Sequence, residues 1–335
     1  MRVAAFSELI GPPDGVELLE QDNPTAGPGE AVIDVKACSL NRHDLWILQG
    51  HSAMIEGDEL PFVSGLDPAG VVREAPADAR VSEGDRILLC ANQTCGTCDR
   101  CREGPENHCE SFSLYHGGFA EQAAVTADRL IPIPDSLSFA EATALPTAYL
   151  TAWHMLQKAD ITAGDRVFIP GATGGVGLAG VQLADVLGAT SVGTTTSESK
   201  ADRLGEFADE VVVGREPEQL VAAAGESSAD AALNHLSGEF TNVCGRVLRT
   251  GGRQVVCGRT AGESLDQLSA PFFLSQQEIL GSTMGTQPEL ERLVELAAAG
   301  TFDPIVDRTY PLAETGTAFA DMETRDAFGK LVITP

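Results

Sequence analysis

The stretch RVFIPGATGGVGLAGVQLADVLG, residues 166–188, limits the fold of this chain more than any other. It reads as a short apolar strand, a glycine-rich turn and an amphipathic helix, and a second apolar strand, SVGTT, begins soon after the helix. A strand that returns beside its predecessor by way of a helix runs parallel to it. Further short buried-strand candidates, EVVV, DAALNHL and RQVVCG, alternate with helical spacing such as SKADRLGEF. This part of the chain is expected to form a doubly wound parallel sheet.

Glycines at such a turn let the backbone approach an anion. Gly171, Gly174, Gly175 and Gly177, with Thr173 and Val176 between them, bring amide N–H groups at the helix start toward a pyrophosphate. The plain alternative is a tight strand-to-helix turn with no ligand, but the strand before it and the helix and strand after it favour a dinucleotide site. The choice of dinucleotide is read at the end of the second strand, TSVGTTTSESK, where an NAD enzyme sets a carboxylate against the ribose hydroxyls. Thr195 stands in that place, followed by Thr196 and Ser197 and, a little further on, Lys200; such a set accepts a 2′-phosphate, with Glu198 the dissenting residue. NADPH is therefore expected ahead of NADH. Ligands collect at the carboxyl ends of parallel strands, so Gly258 and the stretch Asn234 to Leu236, which holds His235, are expected beside the nicotinamide ribose.

The first third has a different rhythm. RVAAF, VELLE, AVIDVKAC, GVVREA, RILLC and FAEQAAV are short apolar or β-branched runs punctuated by Gly and Pro, which points to a mainly antiparallel β domain. The last fifty residues return to that pattern, with IVDRTY, a helix over LAETGTAFADME and a final strand KLVIT. At 335 residues the chain is long enough for two cores. The expected division is 1–128 with 286–335 for the β domain and 129–285 for the parallel-sheet domain.

Inside the first part lies CGTCDRCREGPENHC, with Cys95, Cys98 and Cys101 in C-x-x-C spacing and Cys109 one short loop later. Turns of that spacing bring four thiolates to one tetrahedral zinc, and four protein ligands leave no open position for a substrate. A structural zinc bracing a lobe at about residues 90–112 is expected. The alternative, two disulfides, requires an oxidising compartment. The start MRVAAFSELIGPPDG shows no basic start before an apolar core, and no run approaches the ~20 apolar residues of a membrane span, so a cytoplasmic setting is expected. Cys38, Cys90, Cys244 and Cys257 sit in apolar runs and read as core thiols.

Acidic residues number 49 against 22 basic ones, a net charge of −27, and the only lysines are Lys36, Lys158, Lys200 and Lys330. Such a field repels phosphate backbones and anionic lipid, which argues against nucleic-acid and membrane partners and for a small-molecule substrate. The acidic residues are spread along the whole length, the pattern expected of a salt-rich cytoplasm where screening suppresses self-repulsion.

In VKACSLNRHDLWILQG, SGLDPAGVV, the four-cysteine lobe, GGFAEQ, the glycine turn, GGRQVVCG, EILGSTMG and FGKLVI, the chain resembles the medium-chain dehydrogenase/reductase superfamily over essentially its whole length. The resemblance implies a GroES-like β domain and a Rossmann domain, an α/β fold, with substrate held in the cleft between them, and a homodimer formed by edge pairing of EILGSTM. Zinc alcohol dehydrogenases of this superfamily hold a second, catalytic zinc by a Cys, a His followed by Glu, and a later Cys. Those places fall here on Asn41, on Leu66 and Asp67, and on Thr147, and an amide, an isobutyl group and a hydroxyl do not replace two thiolates and an imidazole. The retained lobe and lost catalytic set resemble the zinc-binding quinone oxidoreductase-like branch. The implied activity is NADPH-dependent hydride transfer to a quinone or an α,β-unsaturated carbonyl without catalytic zinc. The alternatives are an alcohol dehydrogenase or aldehyde reductase with a metal site rebuilt around Cys38, His43 and Asp44, and a nucleotide-binding protein without turnover.

On that resemblance Asn41 projects toward the acceptor, where its amide donates to the acceptor oxygen or else merely caps a helix. His43 either protonates the product or sits solvated beside Asp44, an orienting group. Asp67 and Thr147 border the vacated metal place. Tyr115 either closes the site or is an exposed loop residue, and Lys330 is either cofactor-proximal or on the surface. Loops around 50–62 and 111–117 are expected to shape the acceptor pocket.

Overall fold

Strands Arg166–Ile169, Thr190–Thr195, Glu210–Val213, Ala229–Asn234, Leu248–Val256 and Glu278–Gly281 form one six-stranded sheet, all of its pairs parallel. Numbered along the chain, their spatial order is 3-2-1-4-5-6, the doubly wound arrangement. Val167, Phe168 and Ile169 are each wholly buried, as a strand covered on both faces must be. The helix Gly175–Val186 follows the first strand directly, and Phe168, Val192, Leu220, Val243 and Val247 share one apolar cluster of this unit.

The computed structural model describes residues 1–52 and 59–335. They fall into two units, Met1–Thr147 with Thr286–Pro335, and Ala148–Gly285. Residues 53–58, part of the loop expected to shape a pocket, lie outside the described residues. Among the described residues no helix is long and apolar enough to cross a membrane.

The first unit is built on a seven-stranded sheet. Its order is Val306–Pro311, Lys330–Thr334, Glu30–Ser39, Asp67–Glu74, Arg86–Leu89 and Leu130–Pro132, with Gln122–Thr126 also paired to Glu30–Ser39. All of its pairs are antiparallel except that of the first two strands. Ile33, Val35, Val72, Ile87 and Val125 fill one side, while Phe6, Leu45, Leu48, Phe319 and Ile333 belong to a second cluster under the helices.

The boundary expected at residue 128 needs correction, since the first unit runs on to Thr147. Pairing explains the extension. Leu130–Pro132 adds an antiparallel strand beside Arg86–Leu89, and the Thr143 carbonyl accepts the Ser39 hydroxyl at 2.7 Å. Tyr115, expected in an exposed loop or a closing role, instead packs against the sheet core, and burial pushes its phenol well above the usual range.

Candidate functional site

The cysteine lobe assembles as its spacing requires. A helix at Asp99–Glu103 starts from Cys98, and the Cys101 N–H donates to the Cys98 carbonyl at 3.0 Å, so the two sulfurs turn to the same side. The Sγ atoms of Cys95 and Cys101 are 3.8 Å apart, those of Cys98 and Cys101 3.5 Å, and those of Cys98 and Cys109 3.9 Å. Sulfurs about 2.3 Å from a tetrahedral zinc lie about 3.8 Å from one another, so the donor set fits that ion. All eight cysteines are free thiols. The lobe is tied down by Glu106, which accepts from Arg129 Nη1 at 2.8 Å and from the Gln287 N–H at 2.9 Å.

In the second unit the glycine turn sits at the carboxyl end of the central strand. Gly171 has φ +65°, and a Cβ placed at Gly177 would stand 2.4 Å from the Gly171 carbonyl oxygen, so the turn closes only without side chains. Gly174 precedes the helix and is exposed, with nothing nearer than 3.7 Å to an added Cβ. This leaves Thr173, Gly175 and Val176 around an open helix start. Beside it, the Thr194 hydroxyl accepts the Gly171 N–H at 3.1 Å. Thr195 is buried, its hydroxyl accepting the Ser197 N–H at 3.2 Å, while Thr196 is exposed and Ser197 and Lys200 are half-buried. His235 adjoins the turn, since a Cβ on Gly171 would lie 3.3 Å from its Nε2. The Asn234 carboxamide fixes the next loop by accepting from the N–H groups of Leu236 and Ser237, and the Ser237 hydroxyl donates to the Gly258 carbonyl.

Three of the positions that the resemblance assigns to a catalytic metal, Asn41, Asp67 and Thr147, are joined by a hydrogen-bonded network in the first unit. Asp67 is wholly buried. Its Oδ2 accepts from Asn41 Nδ2 at 2.8 Å and lies 2.8 Å from Ser39 Oγ, whose one hydrogen it shares with the Thr143 carbonyl, and its Oδ1 accepts from Thr147 Oγ1 at 2.6 Å. Lys330, 5 % exposed, donates to Asn41 Oδ1 and to the Leu40 carbonyl, both at 2.6 Å, and stands 4.0 Å from Asp67. Burial pushes the Asp67 carboxyl up and the Lys330 ammonium down, while each charge favours the other's ionised form. Two expectations are corrected here. Lys330 is not a surface lysine, and the Asn41 amide is engaged by Asp67 and Lys330, with a longer contact of 3.5 Å to the Ser39 carbonyl, so it is not held ready for an acceptor oxygen. Asn41 does stand at the start of helix Arg42–Leu48.

Asp44 carries a second set of bonds, which meets the first at Asn41. Its Oδ2 accepts the Asn41 N–H at 2.9 Å, and its Oδ1 accepts Ser64 Oγ at 2.6 Å and the Gly65 N–H at 3.1 Å. Burial raises its carboxyl to about 7 against those bonds, with Asp67 adding to the rise. Ser64 in turn meets His116 Nδ1 at 3.2 Å, and the His116 ring stacks on His43 at 5.6 Å between centroids. Cys38 is buried, and burial and the two carboxylates push its thiol up. Among the described residues, the lobe cysteines form the one group of three or more His, Cys, Asp or Glu whose ligand atoms lie within 4.8 Å of one another. Cys38, His43 and Asp44 do not form such a group.

Ser39, Ser64 and His116 carry no sequence signal of their own. The nearest one was position, since Ser39 and Ser64 lie inside the quoted VKACSLNRHDLWILQG and SGLDPAGVV motifs and His116 directly precedes GGFAEQ.

Comparison with known proteins agrees with both halves. Residues 27–135 match the alcohol dehydrogenase GroES-like domain and residues 207–333 the zinc-binding dehydrogenase domain. The chain is 29 % identical over 330 residues to an acryloyl-coenzyme A reductase of Metallosphaera sedula, covering 97 % of this chain and 98 % of that protein. It is 28 % identical to a crotonyl-CoA reductase of Streptomyces avermitilis, covering 96 % and 82 %. Among solved structures, an NAD-dependent alcohol dehydrogenase superposes with a TM-score of 0.92 at 30 % identity over the full length of both chains.

Proposed function

Because the chain belongs to the medium-chain dehydrogenase/reductase superfamily, in its zinc-type alcohol dehydrogenase-like branch, and is an oxidoreductase using a nicotinamide cofactor, we propose that it is an NADPH-dependent reductase of activated double bonds. The acceptor is an α,β-unsaturated thioester or ketone, or a quinone, reduced without a metal at the reacting centre. The observation that carries this reading is the occupation of the metal-ligand places by Asn41, Leu66 and Thr147, with Asp67 held by Lys330 through Asn41. Without a Lewis acid an alcohol is not readily made an alkoxide at neutral pH, whereas conjugation in an enone spreads the charge that hydride addition creates. Relatives named for acryloyl-CoA and crotonyl-CoA, both unsaturated acyl thioesters, support that acceptor class.

Bound NADPH supplies the hydride. The turn at Thr173, Gly174, Gly175, Val176 and Gly177 binds its pyrophosphate, Thr195, Thr196, Ser197 and Lys200 take its 2′-phosphate, and His235 and Gly258 flank the nicotinamide ribose. Cys95, Cys98, Cys101 and Cys109 hold one structural zinc that braces the lobe. The edge strand Glu278–Gly281 pairs with its copy in a homodimer.

A second reading is favoured by the structural likeness to an alcohol dehydrogenase, namely alcohol oxidation at a rebuilt metal site. Zinc content per chain and NADPH consumption across enones, enoyl-CoA thioesters, quinones, aldehydes and alcohols separate the two. One zinc with enone or enoyl turnover is expected. Two zincs with alcohol turnover would transfer the protein to the second reading, and a lower KM for NADH than for NADPH would reverse the cofactor assignment.

A further inference from the structure

Hydride addition to the β-carbon of an unsaturated carbonyl leaves an enolate whose α-carbon must take a proton; this inference rests on the proposed reading of the site, and the sequence offered only His43 for that role. We infer that His116 delivers this proton from its Nε2, and that it is resupplied through the Ser64 hydroxyl from Asp44.

The geometry forms a continuous path. Asp44 Oδ1 and Ser64 Oγ are 2.6 Å apart, and Ser64 Oγ and His116 Nδ1 are 3.2 Å apart. A serine has one hydroxyl proton. With Asp44 ionised that proton lies on the carboxylate side, so His116 Nδ1 carries its own hydrogen toward Ser64 and Nε2 is a bare lone pair. With Asp44 protonated the hydroxyl turns its hydrogen to Nδ1, and the imidazole becomes the Nε2–H tautomer, a donor. His116 Nε2 is buried without a hydrogen-bond partner, so no protein group competes for it. The ring is held by stacking on His43 at 5.6 Å and by edge contact with Phe62 at 5.1 Å.

Each bond in the transfer is accounted for. The enolate π pair forms the new C–H bond with the Nε2 proton, and the N–H pair stays on Nε2. Nδ1 takes the Ser64 proton, Ser64 takes the Asp44 proton, and Asp44 is left as a carboxylate; once product leaves, Nε2 takes a proton from solvent while the Nδ1 proton returns to Ser64 and the Ser64 proton to Asp44, which restores the donor. The imidazole passes between neutral tautomers and need not become a cation, which suits a ring whose pKa burial, then the His43 charge, lower to about 4. The reservoir suits neutral pH, because burial raises Asp44 to about 7. Asp67, Lys330 and Cys38 are the charged or titratable groups that act on Asp44, and His43 acts on His116. Ser64 and Asp44 are positioning residues in this scheme, and His116 is the catalytic one.

The test uses the full-length enzyme with NADPH and two acceptors whose α-carbon becomes a stereocentre, 2-methylcyclohex-2-enone and a 2-methyl-2-enoyl-CoA. Wild type is expected to add the proton to one face and to lose turnover as pH rises through about 7. His116→Gln is expected to lower kcat on the order of 10²-fold and to lose facial selectivity as solvent protonates the enolate at random. Unchanged kcat and selectivity in that variant would overturn the inference while leaving the reductase reading intact. Should His116→Gln not fold, Ser64→Ala serves. It keeps the selectivity set by His116 but loses the pH limb near 7, and retention of that limb would also overturn the inference. An enzyme that reduces no unsaturated carbonyl removes the reading beneath the inference, and the inference with it.

Discussion

At the scale of single residues, the buried pair of Asp67 and Lys330 is the sharpest feature to probe. Removing one member of a buried ion pair costs about 3–5 kcal/mol because the other charge is left uncompensated, whereas replacing both is near neutral. Asp67→Asn and Lys330→Met should each lower stability in urea unfolding by about that much, and the double variant should recover most of it. Additive losses would show that the two charges are not coupled. Asp44 gives a second expectation, in pH. Its folded carboxyl titrates at about 7, above the ordinary value near 4, so the folded state binds more protons than the unfolded one between those values. Stability contributed by that proton is therefore complete below about pH 4 and is lost as pH rises to about 7, with a slope of at most ~1.4 kcal/mol per pH unit. Asp44→Asn should flatten this fall, and an unchanged slope would assign it to other groups. None of these partnerships was legible in the sequence beyond the vacated ligand places. Asp67 was visible as a survivor of a lost metal set. Ser39, Ser64 and His116 reach Asp67 and Asp44 across separations of 28, 20 and, for the step from Ser64 to His116, 52 residues, and sheet closure rather than any local pattern brings them together.

Among the elements, the glycine turn ties local chemistry to fold most tightly. A Cβ at Gly177 would meet backbone at 2.4 Å from Gly171 O and 2.8 Å from Ala172 Cα, whereas at Gly174 it meets nothing closer than 3.7 Å. Gly177→Ala should therefore cost about 1–3 kcal/mol in thermal unfolding and weaken NADPH binding together with it. Gly174→Ala should leave the unfolding midpoint in place, so that a rise in the NADPH Kd in that variant reports contact with the ligand. Equal destabilisation by the two would contradict the packing. This turn was legible because strand, glycines and helix are contiguous, and most strands of both units were legible for the related reason that short apolar runs lie between Gly and Pro. Other elements carried weaker marks. The helices Pro217–Ala224, Phe240–Val247 and Leu150–Lys158 are short and read poorly by period alone. The extension of the first unit to Thr147 depends on a three-residue strand, Leu130–Pro132, whose partner lies far back in the chain.

For the whole molecule the governing quantity is charge. There are 49 acidic and 22 basic residues, and several of the cations are already paired locally, among them Arg166 with Glu210, Arg246 with Glu218 and Glu226, and Arg249 with Asp230, while Lys330 is buried. Added salt weakens these exposed pairs, but each is worth only about 0–1 kcal/mol, while the excess of negative charge repels itself over the whole surface. Relief of repulsion should win. The Debye length falls from about 10 Å at 0.1 M to about 3 Å at 1 M, so most of the gain should come in that interval and then level off. The unfolding midpoint is therefore expected to climb steeply between low and 1 M KCl and to flatten above it. A straight rise continuing through several molar would instead indicate exclusion of salt from the surface, and a fall would show that the exposed ion pairs outweigh the net charge.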